Sequence, residues 1–313
     1  MNIDQGKVEL SVIIASYNSE RTIEKCLLSL GSQETSGNFE VIVVDSSSGE
    51  GVADIISKKF PEVKLYRFPQ RKFVGDARNF GISKARGRII AFTDADCEVS
   101  ANWANEIIKS HDYPYLAIGG AIANGNPNSN IGWAAYFCEF NHWMPNTNGR
   151  WFADVAGASM SYKKDIFEKY GGFIEGTYCS DTEFHWRMKK DGYRIRFISS
   201  ILVFHNNIEK LGEFLWHEYN HGRSFAKVRV KSEHFSGLRK FVYAASFIPI
   251  LAKLFVMIVF RNLRNRIYLA QFIKSLHLFI LGLVFWSLGE CTGYASSMQV
   301  KGFSGNVGLE VGR

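Results

Sequence analysis

Two acids separated by one small residue, Asp94-Ala95-Asp96, follow directly on the apolar run RIIAFT (88–93). A strand end is an expensive place to bury two carboxylates without a partner. A hard divalent cation, Mg²⁺ or Mn²⁺, relieves that cost and keeps coordination positions open for phosphate oxygens. Taken alone, an Asp-X-Asp triplet is common and describes a solvated turn better than a site. Here the context favours a site. Asp45 closes FEVIVVD (39–45) and leads into Ser46-Ser47-Ser48-Gly49, while Ser16-Tyr17-Asn18 closes LSVIIAS (10–16). An aspartate at such a point can accept hydrogen bonds from a base or ribose while the acidic pair handles a diphosphate. The competing role for Asp45 is that of a turn former or helix N-cap.

The elements that must position these residues alternate. LSVIIAS is short and apolar throughout, as a strand buried on both faces requires. In ERTIEKCLLSL (20–30), Ile23, Cys26, Leu27 and Leu30 form one helical stripe. A second strand at 39–45, a helix marked by Val52, Ile55 and Ile56, and a strand at 63–68 follow. Next come a helix over 75–87 that ends at a glycine and a strand at 88–94. This order predicts an α/β fold with a mainly parallel sheet flanked by helices. Such sheets bind ligands at the carboxyl ends of their strands, near a topological switch point.

From 124 to 148 the pattern breaks into turn residues mixed with aromatics, which reads either as a loop packed down by its own rings or as an acceptor-binding surface. Strand and helix signals resume at 159–162, 163–169, 181–190 and 194–199. Residues 241–260 and 267–289 are then almost wholly apolar, each long enough to span a bilayer. Basic residues flank the first run on both sides (Arg239 and Lys240, then Arg261, Arg264 and Arg266), so a simple span places positive charge outside whichever way it runs. A helical pair lying in the cytoplasmic interface removes the conflict. The rival is a hydrophobic hairpin that covers the rest of the chain or makes a dimer. The expected division is residues 1–230 as the catalytic domain and 231–313 as a membrane-associating helical segment and tail.

Composition narrows the classes. The net charge of +7 suits phosphate-bearing ligands or an anionic membrane face. No helix-turn-helix, zinc-finger or RNA-binding signature supports a nucleic-acid partner. Five scattered cysteines without a CxxC pair suggest neither a zinc site nor a disulfide framework, and point to a reducing compartment. Residues 1–10 are polar, so no secretory signal peptide is expected, and the location expected is the cytoplasmic face of the cell membrane.

Four stretches carry a resemblance to a known family: SVIIASYNSERTIEKCLLSLGSQ (11–33), FEVIVVDSSSGEG (39–51), ARNFGISKARGRIIAFTDADCEV (77–99) and GGFIEGTYCSDTEFHWRMKKDG (171–192). In this order, over roughly residues 8–205, the chain resembles the family 2 glycosyltransferases, the inverting group with the GT-A fold. The resemblance implies that Ala15, Ser16 and Tyr17 line the nucleotide, that Asp45 contacts its base, and that Arg78 lies near the nucleotide or diphosphate. It implies that Asp94, Ala95 and Asp96 bind the donor, with Asp94 and Asp96 the metal-binding pair, and that Asp181 is the catalytic base. His205 resembles a histidine that helps bind metal or diphosphate in relatives; a structural histidine is the alternative. Two departures stand out. Ser180-Asp181 replaces a common Glu-Asp, leaving Glu183 as the fallback base, and the turn after Asp45 lacks the usual second acid.

The implied reaction is an inverting, metal-dependent transfer of a sugar from a nucleotide-sugar donor, a UDP-sugar first, to a lipid-linked or saccharide acceptor. Trp186 and Arg187 could line the acceptor pocket, and the basic stretch His217, His221, Arg223, Lys227, Arg229 and Lys231 could hold an anionic head group or serve only as a solvated helix face. A sugar-nucleotide nucleotidyltransferase would carry a glycine- and arginine-rich loop where this chain has Ser16-Tyr17-Asn18-Ser19. A dehydrogenase would carry GxGxxG after the first strand. A membrane scaffold with a degenerate transferase fold is the non-enzymatic alternative.

Overall fold

The acids after the apolar runs come together because the runs pair as neighbours in one sheet. A computed structural model describes residues 7–296 apart from positions 36 and 148. Strands β1 (Leu10–Ser16), β2 (Phe39–Asp45), β3 (Lys64–Arg67) and β4 (Ile89–Asp94) are parallel, in the order β3-β2-β1-β4. Between them run α1 (Ile23–Gly31), α2 (Gly51–Lys59) and α3 (Val74–Lys84). The chain steps outward from β1 through β2 to β3 and returns on β1's other side as β4, so the switch point lies between β1 and β4. The register there is decisive: Ser16 pairs with Asp45, Ala15 with Asp94, and Asp45 with Arg67.

Beyond β4 the sheet becomes mixed. It adds β5 (Cys97–Val99), β6 (Ala117–Asn124), β7 (Trp151–Phe152), β8 (Met160–Lys163) and β9 (Ile195–His205), with α4 (Trp103–Ser110), α6 (Ile166–Tyr170) and α7 (Ser180–Lys190) packed around it. Strand β9 runs well past the expected 199, and a register shift against β6 at Gly120/Ala121 carries it on to His205. Strand β6 (AIGGAIAN) was not legible because Gly119 and Gly120 break the apolar pattern. Both glycines are required by packing: a Cβ on Gly120 would lie 2.2 Å from the Ile201 carbonyl oxygen, and one on Gly119 would meet Val155 at 2.2 Å.

The stretch expected to be a loop contains a helix, α5 (Asn130–Glu139), capped by the Ser129 hydroxyl accepting from the Gly132 amide. Its sequence hides it because Trp133, Ala134, Ala135, Tyr136 and Phe137 are all buried, so no amphipathic period shows. What covers its outer side is the C-terminal apolar sequence. The final helices are α8 (Leu211–Ser232), α9 (Gly237–Ala244), α10 (Phe247–Asn265) and α11 (Leu269–Ala295). Helix α11 is long and apolar enough to cross a membrane, yet Phe272, Phe279 and Leu283 are buried in the same core cluster as β1 and α5. Helices α9 and α10 are bent by 67°, and Pro249 falls in the first turn of α10, where its missing N–H costs nothing. The covering role of the hairpin is therefore realised by one face of α11. Outward, Leu238, Phe241, Ile248, Val256, Phe260, Leu263 and Ile273 are each more than half exposed.

Glu40 ties the strands of the parallel half together. Its buried carboxylate accepts from Ser11 Oγ at 2.7 Å, Lys64 Nζ at 2.5 Å, and the Arg86 amide and Nε at 2.7 and 3.0 Å. Burial pushes its pKa up, but these donors together win and hold it down at about 2, from an ordinary 4.5. A depressed folded-state pKa means stability that is complete above about 4.5 and is lost as pH falls towards 2. Glu40→Gln should therefore cost about 2 kcal/mol at neutral pH. In denaturant titrations the difference from wild type should shrink progressively below pH 4.5; a difference independent of pH would contradict the ionised network.

Candidate active site

The carboxyl ends of β1 and β4 open on a cavity of about 780 Å³ whose wall includes Tyr17, Asp94, Asp96, Tyr178, Asn206 and His217. That volume lies within the range of small-molecule sites. The loop after β1 is fixed by Asn18, which adopts a left-handed conformation (φ 51°) that asparagine tolerates. Its amide donates to Ser47 Oγ at 2.8 Å, and its Oδ1 accepts from the Ser48 amide at 3.1 Å. The loops after β1 and β2 are thereby locked to one another.

Asp45 is fully buried at this junction. Its Oδ1 accepts from Ser16 Oγ at 2.9 Å and from Ser47 Oγ at 2.5 Å. Its Oδ2 has no hydrogen-bond partner and lies 3.6 Å from Arg67 Nε. Ala15 and Tyr17 line the cavity directly, and Arg71 lies over the Tyr17 ring at 4.5 Å while donating to Tyr178 Oη.

Arg78 stands behind the acidic pair rather than in the cavity. It is 3% exposed, and Nη2 donates to Asp94 Oδ1 at 3.1 Å. The guanidinium is wedged between the Phe92 and Phe173 rings and the backbone of Gly157, where a Cβ would come within 2.4 Å of Nη2. Asp94 is thus held by a fixed cation, and its remaining surface faces the cavity. Asp96 is held differently. Asn206 donates to its carbonyl from both its amide and its side chain, at 2.9 and 3.1 Å, and His205 Nε2 lies 3.5 Å from Oδ1, an atom with no hydrogen-bond partner. Enclosure by protein pushes the Asp96 carboxyl up, His205 draws it back, and the Asp94 charge raises it again. Asp96, Cys97 and His205 present ligand atoms within 4.8 Å of one another. Burial keeps Cys97 a thiol, which leaves the carboxylate and imidazole as the effective donors.

Asp181 sits in the first turn of α7, three residues after Tyr178 of the cavity wall, and accepts from the Thr182 amide at 2.9 Å. It is half-buried, and beside it Asp154 has its carboxyl pushed up by burial and then by the Asp181 charge. Asp154 was not anticipated; it lies in the loop before β8 without a motif to mark it. Glu183, the fallback base, is committed elsewhere. It pairs with Arg187 Nε at 3.0 Å and faces a separate cleft of about 390 Å³ with Arg187 and Lys231. Trp186 packs edge-on against Phe225 of α8.

Glu139 carries no motif that marks it in the sequence, where His217 and His221 belong to a basic stretch. The three side chains meet, with His217 Nε2 3.2 Å from Glu139 Oε1. Burial works against both charges in that pair, but mutual attraction holds Glu139 down and His217 up. The available signal was two histidines one turn apart, His217 and His221, on a helix.

A parallel half-sheet with an acidic cavity at its switch point, extended by a mixed half-sheet, is a GT-A-like fold. The fold is similar to that of the mannosyltransferase PcManGT from Pyrobaculum calidifontis, solved with GDP-Man and Mn²⁺: TM-score 0.60, 17% identity, covering 90% of this chain and 86% of that one. The chain belongs to glycosyl transferase family 2, whose family description matches residues 11–171. Among curated relatives, the glycosyltransferase AglE of Haloferax volcanii is 26% identical over 227 residues, 70% of this chain and 73% of that protein. A shorter match of 88 residues, at 40% identity, covers 28% of this chain and 35% of WfaP from Escherichia coli, a UDP-Glc:alpha-D-GlcNAc-diphosphoundecaprenol beta-1,3-glucosyltransferase. The protein is a glycosyltransferase.

The wedge behind Asp94 makes a testable pair. Arg78→Met should cost about 1.5–3 kcal/mol by removing a charged hydrogen bond, and Gly157→Ala about 1–3 kcal/mol by crowding the guanidinium. Combined, they should cost clearly less than the sum, because the clash vanishes with the guanidinium. Additive losses in urea titrations would show that Gly157 does not act through Arg78.

Proposed function

We propose that the chain transfers a sugar from a nucleoside-diphosphate donor, UDP-linked first, to a lipid-linked or saccharide acceptor, with inversion and with a divalent cation at Asp96. The observation that carries this reading is Asp96, which lines a cavity of diphosphate-sugar size and whose buried Oδ1 lies 3.5 Å from His205 Nε2 without a hydrogen-bond partner. A carboxylate, an imidazole and a neighbouring carboxylate fit Mn²⁺ or Mg²⁺. Bound there by Asp96 and His205, with Asp94 beside them, the cation would supply Lewis-acid stabilisation of the departing diphosphate.

The chain's own residues do the rest. Ala15, Ser16 and Tyr17 flank the nucleotide, and the buried Asp45, by accepting from the Ser16 and Ser47 hydroxyls, sets the loop that meets the base. Arg78 holds Asp94 in one orientation so that its open oxygen can take a ribose or sugar hydroxyl. Asp181 receives the proton of the acceptor hydroxyl as it attacks the anomeric carbon, while the carbon–oxygen bond to the diphosphate breaks. One displacement at that carbon inverts it. Burial, and then the Asp181 charge, push the carboxyl of neighbouring Asp154 up.

The C-terminal helices give the acceptor its setting. Residues 231–296 form the membrane-seating part of the molecule, and residues 1–230 the catalytic part. Ile248, Ala252, Val256 and Phe260 make an exposed i, i+4 stripe on α10, with Lys253, Arg264 and Lys274 exposed nearby. An apolar stripe with basic neighbours suits the plane of an anionic cytoplasmic leaflet. This arrangement fits the lipid-diphosphate acceptor in the name of WfaP, since it would bring a lipid-borne hydroxyl to the cavity.

Two experiments test these assignments. With the full chain, Asp96→Ala should weaken Mn²⁺-dependent UDP binding by about 2–3 kcal/mol, the size of a lost charge-assisted contact. Asp181→Asn should keep donor binding and lower kcat by about 10²–10⁴-fold. Normal turnover in Asp181→Asn would remove it as the base. For the membrane face, the triple change Phe241→Asp, Val256→Asp, Phe260→Asp should abolish sedimentation with vesicles containing anionic lipid while leaving the far-UV circular dichroism intact. Undiminished sedimentation of a folded triple variant would refute the seating role.

A further inference from the structure

Helix α8 carries His217-Glu218-Tyr219-Asn220-His221, two histidines at i and i+4 on one face. Glu139, the last residue of α5, meets them from the side, and the three offer ligand atoms that all lie within 4.8 Å of one another. The donor set is two imidazoles and one carboxylate. Around Zn²⁺ such ligands stand at about 2.0–2.1 Å, which places them about 3.3 Å apart in a tetrahedral shell. His217 Nε2 and Glu139 Oε1 are already 3.2 Å apart.

A second, independent observation points to the same place. Of the fifteen buried side-chain polar atoms that lack a standard hydrogen bond among the described residues, four besides His217 Nε2, which faces Glu139, fall on the same stretch of α8. They are both oxygens of Glu218, His221 Nδ1 and Arg223 Nε. Glu218 is 0% exposed. Buried polar groups left unpaired are costly, and here they crowd against a ready-made ligand triad.

The turn is also held rigidly. Backbones approach so closely that a Cβ on Gly222 would lie 2.2 Å from the Trp286 oxygen of α11, and one on Gly289 would lie 2.0 Å from the Tyr219 oxygen of α8. The Trp286 ring meets that of His221 at 4.9 Å, and Tyr178 packs against both histidines at 6.4 Å. Ligands on clamped helices with packed rings are preorganised for metal.

We propose that Glu139, His217 and His221 form a second divalent-cation site of zinc type, separate from the Asp96 site and opening on the same cavity through His217. Two imidazoles and a carboxylate select a later first-row cation than an oxygen-rich site does, so the two sites differ in metal preference. Three protein ligands leave one position open, and in this cavity it takes water or a phosphate oxygen of a substrate. The same histidine spacing serves zinc hydrolases, where the intervening acid activates water. Here that acid, Glu218, is sealed from solvent, so the site binds and does not hydrolyse.

The test uses the metal-stripped full chain and Co²⁺ as the probe. One equivalent of Co²⁺ should give the visible absorption of a four- or five-coordinate ion, and Zn²⁺ should displace it. Zn²⁺ alone should raise the melting temperature. His217→Gln, His221→Gln and Glu139→Gln should each weaken Zn²⁺ binding by more than the roughly 10- to 100-fold that loss of a mere supporting partner costs. Each should also lose the Zn²⁺-dependent rise in melting temperature, and Asp96→Ala should keep both signals. Absence of the stoichiometric band in wild type would overturn the proposal. So would a band unchanged in a folded His217→Gln/His221→Gln double variant, or one lost in Asp96→Ala. None of these readouts depends on sugar transfer, so the site can fail while the transferase reading stands.

Discussion

Like-charge crowding at one sheet edge is the constraint around which the molecule is arranged. Parallel pairing brings Ser16, Asp45 and Asp94 into adjacent registers at the switch point, and Asp96 follows two residues on. The fold answers each acid separately. Two serine hydroxyls and Arg67 face Asp45, the buried Arg78 takes one oxygen of Asp94, and Asp96 is left with His205 and an unpartnered oxygen. Asp45 Oδ2 and Asp96 Oδ1 are both left without a hydrogen-bond partner, and of these two acids Asp96 is the one that lines the cavity. A buried polar atom that evolution leaves unpaired is a place to look for a ligand.

The supports for that edge come from far away in sequence. His205 reaches Asp96 only because β9 continues through a register shift, which in turn needs Gly120 for the close approach of Ile201. Arg78 reaches Asp94 only because Gly157 has no side chain. The cavity's far wall depends on α8, and α8 is fixed by glycine contacts with α11. The C-terminal helices therefore do two things at once: one face completes the core around α5, and the other presents exposed apolar residues.

Much of this was legible in the sequence, and the division between what was and was not is physical. The parallel half showed clearly because its strands are continuous apolar runs and each ends in a polar residue, so Asp45, Asp94 and Asp96 could be placed before any coordinates. Helix α5 was hidden because it is buried all round and carries no 3.6-residue period. Strand β6 was hidden by its double glycine, and β5 by its three-residue length. The direction of Arg78 could not be read either, since a helix position does not say whether a long side chain points to ligand or core. His217 and His221 stood in plain view, but their partner Glu139 lies 78 residues earlier on the helix that the sequence concealed.

The most direct measurement of the central claim is a crystal structure of the chain with UDP and Mn²⁺, read by anomalous scattering at the manganese edge. The account predicts a manganese peak within coordination distance of an Asp96 carboxylate oxygen, bridged to the nucleotide's diphosphate, with the base beside Tyr17. A diphosphate bound away from the Asp94–Asp96 edge, or one seated there with manganese contacting neither acid, would contradict it.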